Sequence, residues 1–227
     1  MLHLSRRLLA EALGTAFLLV AVVGSGVMAQ TLSPDDVGLQ LLENAVATGV
    51  ALGALIAMFI TVSGAHFNPA VTLAARAFGE VDTSTAGAYV GAQIVGACIG
   101  TVVANVMFEL PAIELSTNAR GGGALWLSEV IATLGLLLVI FSLARTGRLT
   151  AIPFAVGAWI TGAYFFTSST SFANPAVTVG RTLSNTFAGI RPASAPMFIA
   201  MQLVGAVLAV ALIRVLFPLR RVAEVDV

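Results

Sequence analysis

This chain carries three apolar spans and then three more that resemble them, and an odd number of crossings per half restricts its fold severely. The runs lie near residues 8–29, 41–62, 84–108, 124–144, 150–168 and 196–217. Each is close to the ~20 apolar residues that carry a helix across a bilayer core. "AEALGTAFLLV" from Ala10 and "LSEVIATLGLLLV" from Leu127 both open a span with an early glutamate, Glu11 and Glu129. "AQIVGA" around Gln93 likewise matches "MQLVGA" around Gln202. With three crossings per half, the second half sits upside down relative to the first. The reading is one domain over 1–227 built from inverted repeats of approximately 1–110 and 124–227, an arrangement common among membrane transport folds.

Composition narrows the class. Of 227 residues 58% are apolar and only 10% charged, against about 25% charged in a soluble domain. No long alternating pattern suggests strands, so the spans are helices. The net charge is zero, which offers no basic surface to nucleic acid. The single Cys98 excludes an internal disulfide and a cysteine-based metal site. No catalytic constellation is visible, and neither a metal nor a cofactor is expected. Arg6 and Arg7 before the first span resemble the start of a signal peptide, but a clear cleavage site is missing and Glu11 lies inside the run, so it reads as a retained helix.

All eleven cations are arginine. With six alternating spans, Arg6, Arg7, Arg76, Arg145, Arg148, Arg214, Arg220 and Arg221 share one side, while Arg120, Arg181 and Arg191 share the other. That excess predicts cytoplasmic termini under the positive-inside rule. Glycines at 87, 91, 96 and 100, and at 49 and 53, have the small-xxx-small spacing that lets helices approach closely in lipid.

Between the spans, Asn-Pro-Ala-Val-Thr occurs twice, beginning at Asn68 and Asn174. Asparagine is a favoured N-cap and proline a favoured first helical residue. "AVTLAARAF" and "AVTVGRTL" run for only about two turns before glycine or polar residues intervene. They are predicted to be half-helices that enter from opposite faces and meet N-terminus to N-terminus near the midplane, each end carrying about half a positive charge. Each asparagine carbonyl would cap its own helix, freeing the amide NH2 of Asn68 and Asn174 to donate into a cavity. Backbone carbonyls of Gly64, Ala65, His66, Thr170, Ser171 and Phe172 would line the approaches as acceptors. Donors at the centre and acceptors along the path suit a small polar solute shedding water.

"SGAHFNPAVTLA" with "FANPAVT", and "AEALGTAFLLV" near the start, resemble the aquaporin or major intrinsic protein family over essentially the whole chain. The resemblance implies an all-α membrane protein: a right-handed bundle of six transmembrane helices plus two re-entrant half-helices. It also implies a pore in each subunit of a homotetramer, set in a bacterial plasma membrane. Glu11 and Glu129 are implied to brace the re-entrant loops, although membrane carboxylates taken alone also suit a proton relay. His66 is implied to be a structural loop residue. Converging helix N-termini exclude protons and cations in pores of this type.

The family sets selectivity at four positions outside the central asparagines, which by ungapped offset are Thr48, Gly162, Ser171 and Val177. Arginine usually occupies the last of these; water-selective members add phenylalanine and histidine, and glycerol facilitators two aromatics and a glycine. This chain departs from both patterns. Valine in place of a five-donor cation predicts a wide, weakly polar filter. Arg181, one turn beyond Val177, either points the same way or anchors its helix to surrounding carbonyls. "FANPAVTVGRTLSNTFAGI" resembles a bacterial branch associated with arsenic resistance. The expected function is a passive channel for small uncharged solutes: water, glycerol, arsenous acid and other metalloid hydroxides, or methylated arsenicals. The competing classes are an ion-coupled secondary transporter, a water-selective pore, and a closed junction-forming protein.

Overall fold

The computed structural model describes residues 3–218, and every regular element among them is helical. In chain order the helices are α1 (Leu4–Leu32), α2 (Val37–Ser63), α3 (Pro69–Ala77), α4 (Thr83–Met107), α5 (Gly123–Arg145), α6 (Ile152–Phe166), α7 (Pro175–Gly180) and α8 (Ala195–Leu216). Single 3-10 turns precede α6 and α8 and follow α7. Six helices, all but α3 and α7, are long and apolar enough to cross a bilayer, α6 with the turn before it. Each half therefore reads long, long, short, long. Arg220 and Arg221, counted above with the cytoplasmic side, lie outside the described residues.

The helix starts follow local chemistry. Asp36 accepts from Leu39 N at 2.8 Å to cap α2, and Asp82 accepts from Thr85 N at 2.9 Å to cap α4. Both short helices begin at an asparagine cap followed by proline. At 1.5 Å per residue, α3 with 9 residues is about 14 Å long, and α7 with 6 residues about 9 Å. Neither spans a core about 30 Å thick.

Glycines set the spacing of the long helices. A Cβ at Gly96 or Gly100 of α4 would overlap the backbone of Ala12 or Ala16 of α1. A Cβ at Gly49 of α2 would come within 2.7 Å of Gly157 O of α6, and one at Gly205 of α8 within 2.6 Å of Val130 O of α5. Gly87 and Gly91 differ: among the described residues nothing lies within 4 Å of a Cβ placed there. The expected close approach at that end of α4 is therefore not made by any described residue. Large apolar side chains such as Phe154 and Val215 face outward, while Glu11, Gln93, Glu129 and Gln202 are fully buried.

Gly100→Leu should force α4 off α1 and lower the apparent melting temperature of the purified protein, whereas Gly87→Leu should leave the monomer fold unchanged. Overpacking of this kind costs roughly 1–3 kcal/mol, and a thermal melt in detergent comparing the two variants reads the difference.

Candidate functional site

The chain between α2 and α3 runs without helix through the middle of the protein, and so does the chain between α6 and α7. Buried backbone N–H groups need partners, because lipid offers none. In the first loop Gly64 N donates to Ile60 O at 3.1 Å and Ala65 N to Ser63 Oγ at 3.1 Å. His66 N and Phe67 N donate to the two oxygens of Glu11, at 3.0 and 2.8 Å. Ser63 Oγ and Gln93 Nε2 complete that carboxylate at 2.6 and 2.8 Å. Gln93 Nε2 also reaches Thr72 Oγ1 at 2.9 Å, and Thr72 donates to Asn68 O at 3.1 Å.

The second loop repeats the arrangement group for group. Ser171 N donates to Ser169 Oγ at 3.2 Å, while Phe172 N and Ala173 N donate to Glu129 at 3.0 and 2.9 Å. Ser169 Oγ and Gln202 Nε2 fill the remaining positions on Glu129 at 2.6 and 2.7 Å. Gln202 bonds Thr178 at 2.9 Å, and Thr178 donates to Asn174 O at 2.9 Å. Each carboxylate thus accepts four donors, and neither glutamate lines the central cavity. A group so enclosed is poorly placed to relay protons along a path.

Both loops also share a backbone conformation. Ala65 and Phe67 in the first, and Ser171 and Ala173 in the second, lie in the left-handed region with φ between 48° and 52°. Non-glycine residues adopt this only at some energetic cost, of order 1–3 kcal/mol each. The carboxylate bonds on the adjoining N–H groups hold the loops in that shape.

The two motifs meet directly. Asn68 Oδ1 accepts from Ala70 N at 2.8 Å, and Asn174 Oδ1 accepts from Ala176 N at 2.9 Å and Val177 N at 3.2 Å. Each amide then donates across the junction: Asn68 Nδ2 to Ala173 O at 2.7 Å, and Asn174 Nδ2 to Phe67 O at 2.8 Å. The sequence suggests an amide wholly free for the cavity. Instead one of its two N–H donors ties the half-helices together, which leaves one for the passage.

A cavity of about 50 Å³ runs past this junction. One water needs about 10–15 Å³ of such space, so a short single file fits. Asn68, Asn174, Thr48, Ser171 and Val177 all line it, as do Ala65, His66 and Phe172 of the expected acceptor stretches. Gly64 and Thr170 are not among its lining residues. His66 also bonds Thr72 Oγ1 through Nδ1 at 3.0 Å and packs edge-on against Tyr89 at 5.4 Å, so it supports the loop while lining the passage.

Gly162 is not in the lining either. Val156, Ile160 and Tyr164 present the inner face of α6 to the cavity, a spacing of four residues that keeps one helix face. Two residues from Ile160 or from Tyr164 is about 200° around the helix, so Gly162 turns away, towards Phe166 at 3.5 Å. Counting twelve residues back from Asn174 assumes a loop without length change, and Tyr164 stands where the count expects Gly162. Its hydroxyl donates to Thr48 Oγ1 at 3.3 Å.

Arg181 also lines the cavity, although Val177 has replaced the usual arginine. It is 2% exposed; its Nε donates to Ala188 O, and its Cζ lies 3.4 Å above the Phe172 ring centroid. The lining therefore includes a cation. Tyr164, Arg181 and the paired Gln93 and Gln202 escape a reading of the motifs alone. The repeated glutamines were visible as a match between the halves, and the arginine as a residue one turn from Val177.

The sequence model described as "Major intrinsic protein" matches residues 1–171 and 145–225 of the chain. The chain is 50% identical over 211 residues to aquaglyceroporin AqpS of Rhizobium meliloti (strain 1021), covering 93% of this chain and 90% of that one. It is 31% identical to a probable aquaporin TIP-type of Medicago truncatula, over 76% and 72% of the two chains. Its fold is similar to the X-ray structure of the aquaglyceroporin from Plasmodium falciparum, with a TM-score of 0.73, 23% identity, and coverage of 93% and 96%.

Glu129→Gln should keep the side-chain shape but turn one acceptor into a donor, facing either Ala173 N and Gln202 Nε2 or Phe172 N and Ser169 Oγ. An unpaired buried donor costs about 1–3 kcal/mol. The expected outcome is a lower melting temperature and reduced water flux per folded protein, with Glu11→Gln behaving alike; unaltered melts for both variants would contradict the bracing role.

Proposed function

This chain belongs to the major intrinsic protein family and is a passive channel for water, glycerol and small solutes, and we propose that its selectivity is set around Thr48, Tyr164, Ser171 and Val177. It is a multi-pass membrane protein and not an enzyme. The observation that carries the selectivity proposal is Val177 in the cavity lining where an arginine is usual. Its isopropyl group offers no donor to a passing solute. Thr48 and Ser171 are small hydroxyl residues, and Tyr164 adds a ring and a hydroxyl from α6.

In the proposed path, a solute crosses by exchanging its hydration for wall contacts. Asn68 and Asn174 each use one amide N–H to join the half-helices, and the second donates to a solute oxygen at the junction. Donation from both sides orients each water with its oxygen to the centre, which breaks a proton wire. The positive ends of α3 and α7 add a barrier to cations.

Neutral solutes of glycerol size are the proposed cargo, with arsenous acid and other metalloid hydroxides or methylated arsenicals in the same class. Arsenous acid carries three hydroxyls and is neutral at pH 7, so it presents the same face to the wall as a polyol. Residues 1–110 and 124–227 are proposed as the two repeat units of a single channel domain. Assembly as a homotetramer in a bacterial inner membrane with both termini cytoplasmic belongs to the same proposal. The excess of arginine on one side supports that orientation.

Stopped-flow swelling of proteoliposomes with water, glycerol and arsenous acid tests this reading. Val177→Arg should depress glycerol and arsenous acid flux at least about tenfold, equivalent to about 1.4 kcal/mol on the barrier, and water flux much less. Equal loss of all three would remove Val177 from the filter.

A further inference from the structure

We propose that Arg181 is a specificity-determining residue of this channel, supplying from one helical turn further out the cation that Val177 lacks. The inference rests on the channel reading above. Four residues separate the two positions, so they share one face of the α7 segment and stand about 6 Å apart along it. Both line the same cavity.

The guanidinium is held by two contacts. Nε donates to the neutral carbonyl of Ala188, and the Phe172 ring lies beneath Cζ at 3.4 Å, packed in turn edge-on against Phe198 at 5.2 Å. Arg120 holds the same loop from outside, donating to Gly189 O at 2.9 Å and Phe187 O at 3.2 Å. Its Cζ is 5.2 Å from the same Phe172 ring. Loop 187–189 is thereby clamped where Arg181 needs its acceptor.

A buried charge is costly unless paired and hydrogen-bonded. The bond to Ala188 uses one of the five guanidinium donors and brings no countercharge. The Nη donors are left for the cavity that the residue lines, where water or a solute oxygen can meet them. Ser171 lines the same cavity, and its buried Oγ has no hydrogen-bond partner among the described residues. A rigid donor fork in the lining takes up cavity space and holds water, and so disfavours a solute of glycerol size relative to water. A guanidinium seated on an aromatic face is also strongly localised, so it narrows the passage as well as polarising it.

The test measures the glycerol-to-water permeability ratio of purified protein in proteoliposomes for the wild type, Arg181→Gln, Arg181→Lys and the double variant Val177→Arg with Arg181→Gln. Loss of the cation should raise the ratio about threefold or more, and the double variant, which returns a guanidinium one turn inward, should bring it back down. A purely structural role would lower both fluxes together and leave the ratio unchanged in Arg181→Gln, which would overturn the inference. If Arg181→Gln does not fold, Arg181→Lys carries the test. Its flexible ammonium loses the planar fork and the seat on Phe172, and should shift the ratio about twofold; an unchanged ratio overturns the inference. A wild type with no flux above empty liposomes would instead defeat the channel reading itself.

Discussion

The structure depends on two carboxylates that do what lipid cannot. Two stretches of non-helical backbone cross the interior at membrane depth, and their N–H groups need acceptors. A carboxylate is the densest acceptor available to a protein, with two oxygens and about four lone-pair sites. Glu11 and Glu129 are each filled to four donors, two of them consecutive backbone N–H groups. The strained left-handed residues beside those groups are tolerable because the brace over-determines them. Without it, neither asparagine would be presented at its place.

From the brace, the chain of consequences runs inward. The fixed loops aim two asparagine caps at each other, and the caps lock by exchanging amide donors for the carbonyls of Phe67 and Ala173. That exchange divides each amide between structure and function. It also makes the centre a shared product of both halves, since each motif is anchored by an acceptor from the other. Glutamine and threonine extend the network to α4 and α8, so the long helices are tied to the junction as well as packed around it. The helix spacing that permits this comes from glycines at the α1–α4, α2–α6 and α5–α8 contacts.

Much of this was legible in the sequence because it depends on local rules. Span length, asparagine caps, proline at the first turn and the repeated order of long and short helices follow from residue type and spacing. The bracing role of Glu11 and Glu129 came with the family resemblance and agrees with the bonds they make. What stayed hidden depends on three-dimensional direction. Gly162 was reached by counting across a loop, and two residues' difference rotates a helix position to the opposite face, which put Tyr164 in the lining. Arg181 was visible as a neighbour of Val177, but whether it faced the cavity or a carbonyl could not be read from spacing; it does both. Gly87 and Gly91 carry the same signal as Gly96 and Gly100, yet among the described residues only the latter pair meets another helix.

In the proposed channel two asparagine-capped half-helices meet to make a passage that conducts uncharged solutes and excludes protons and cations. The most direct measurement is proton leak alongside water flux in proteoliposomes bearing wild type or Asn174→Asp. A carboxylate there keeps the cap acceptor, loses the donor to Phe67 O, and sets a negative charge at the junction. Water flux without proton leak is expected in the wild type, and a proton or cation leak in the variant that still conducts water. A wild type as leaky to protons as to water, or a folded, conducting variant with no leak, would contradict it.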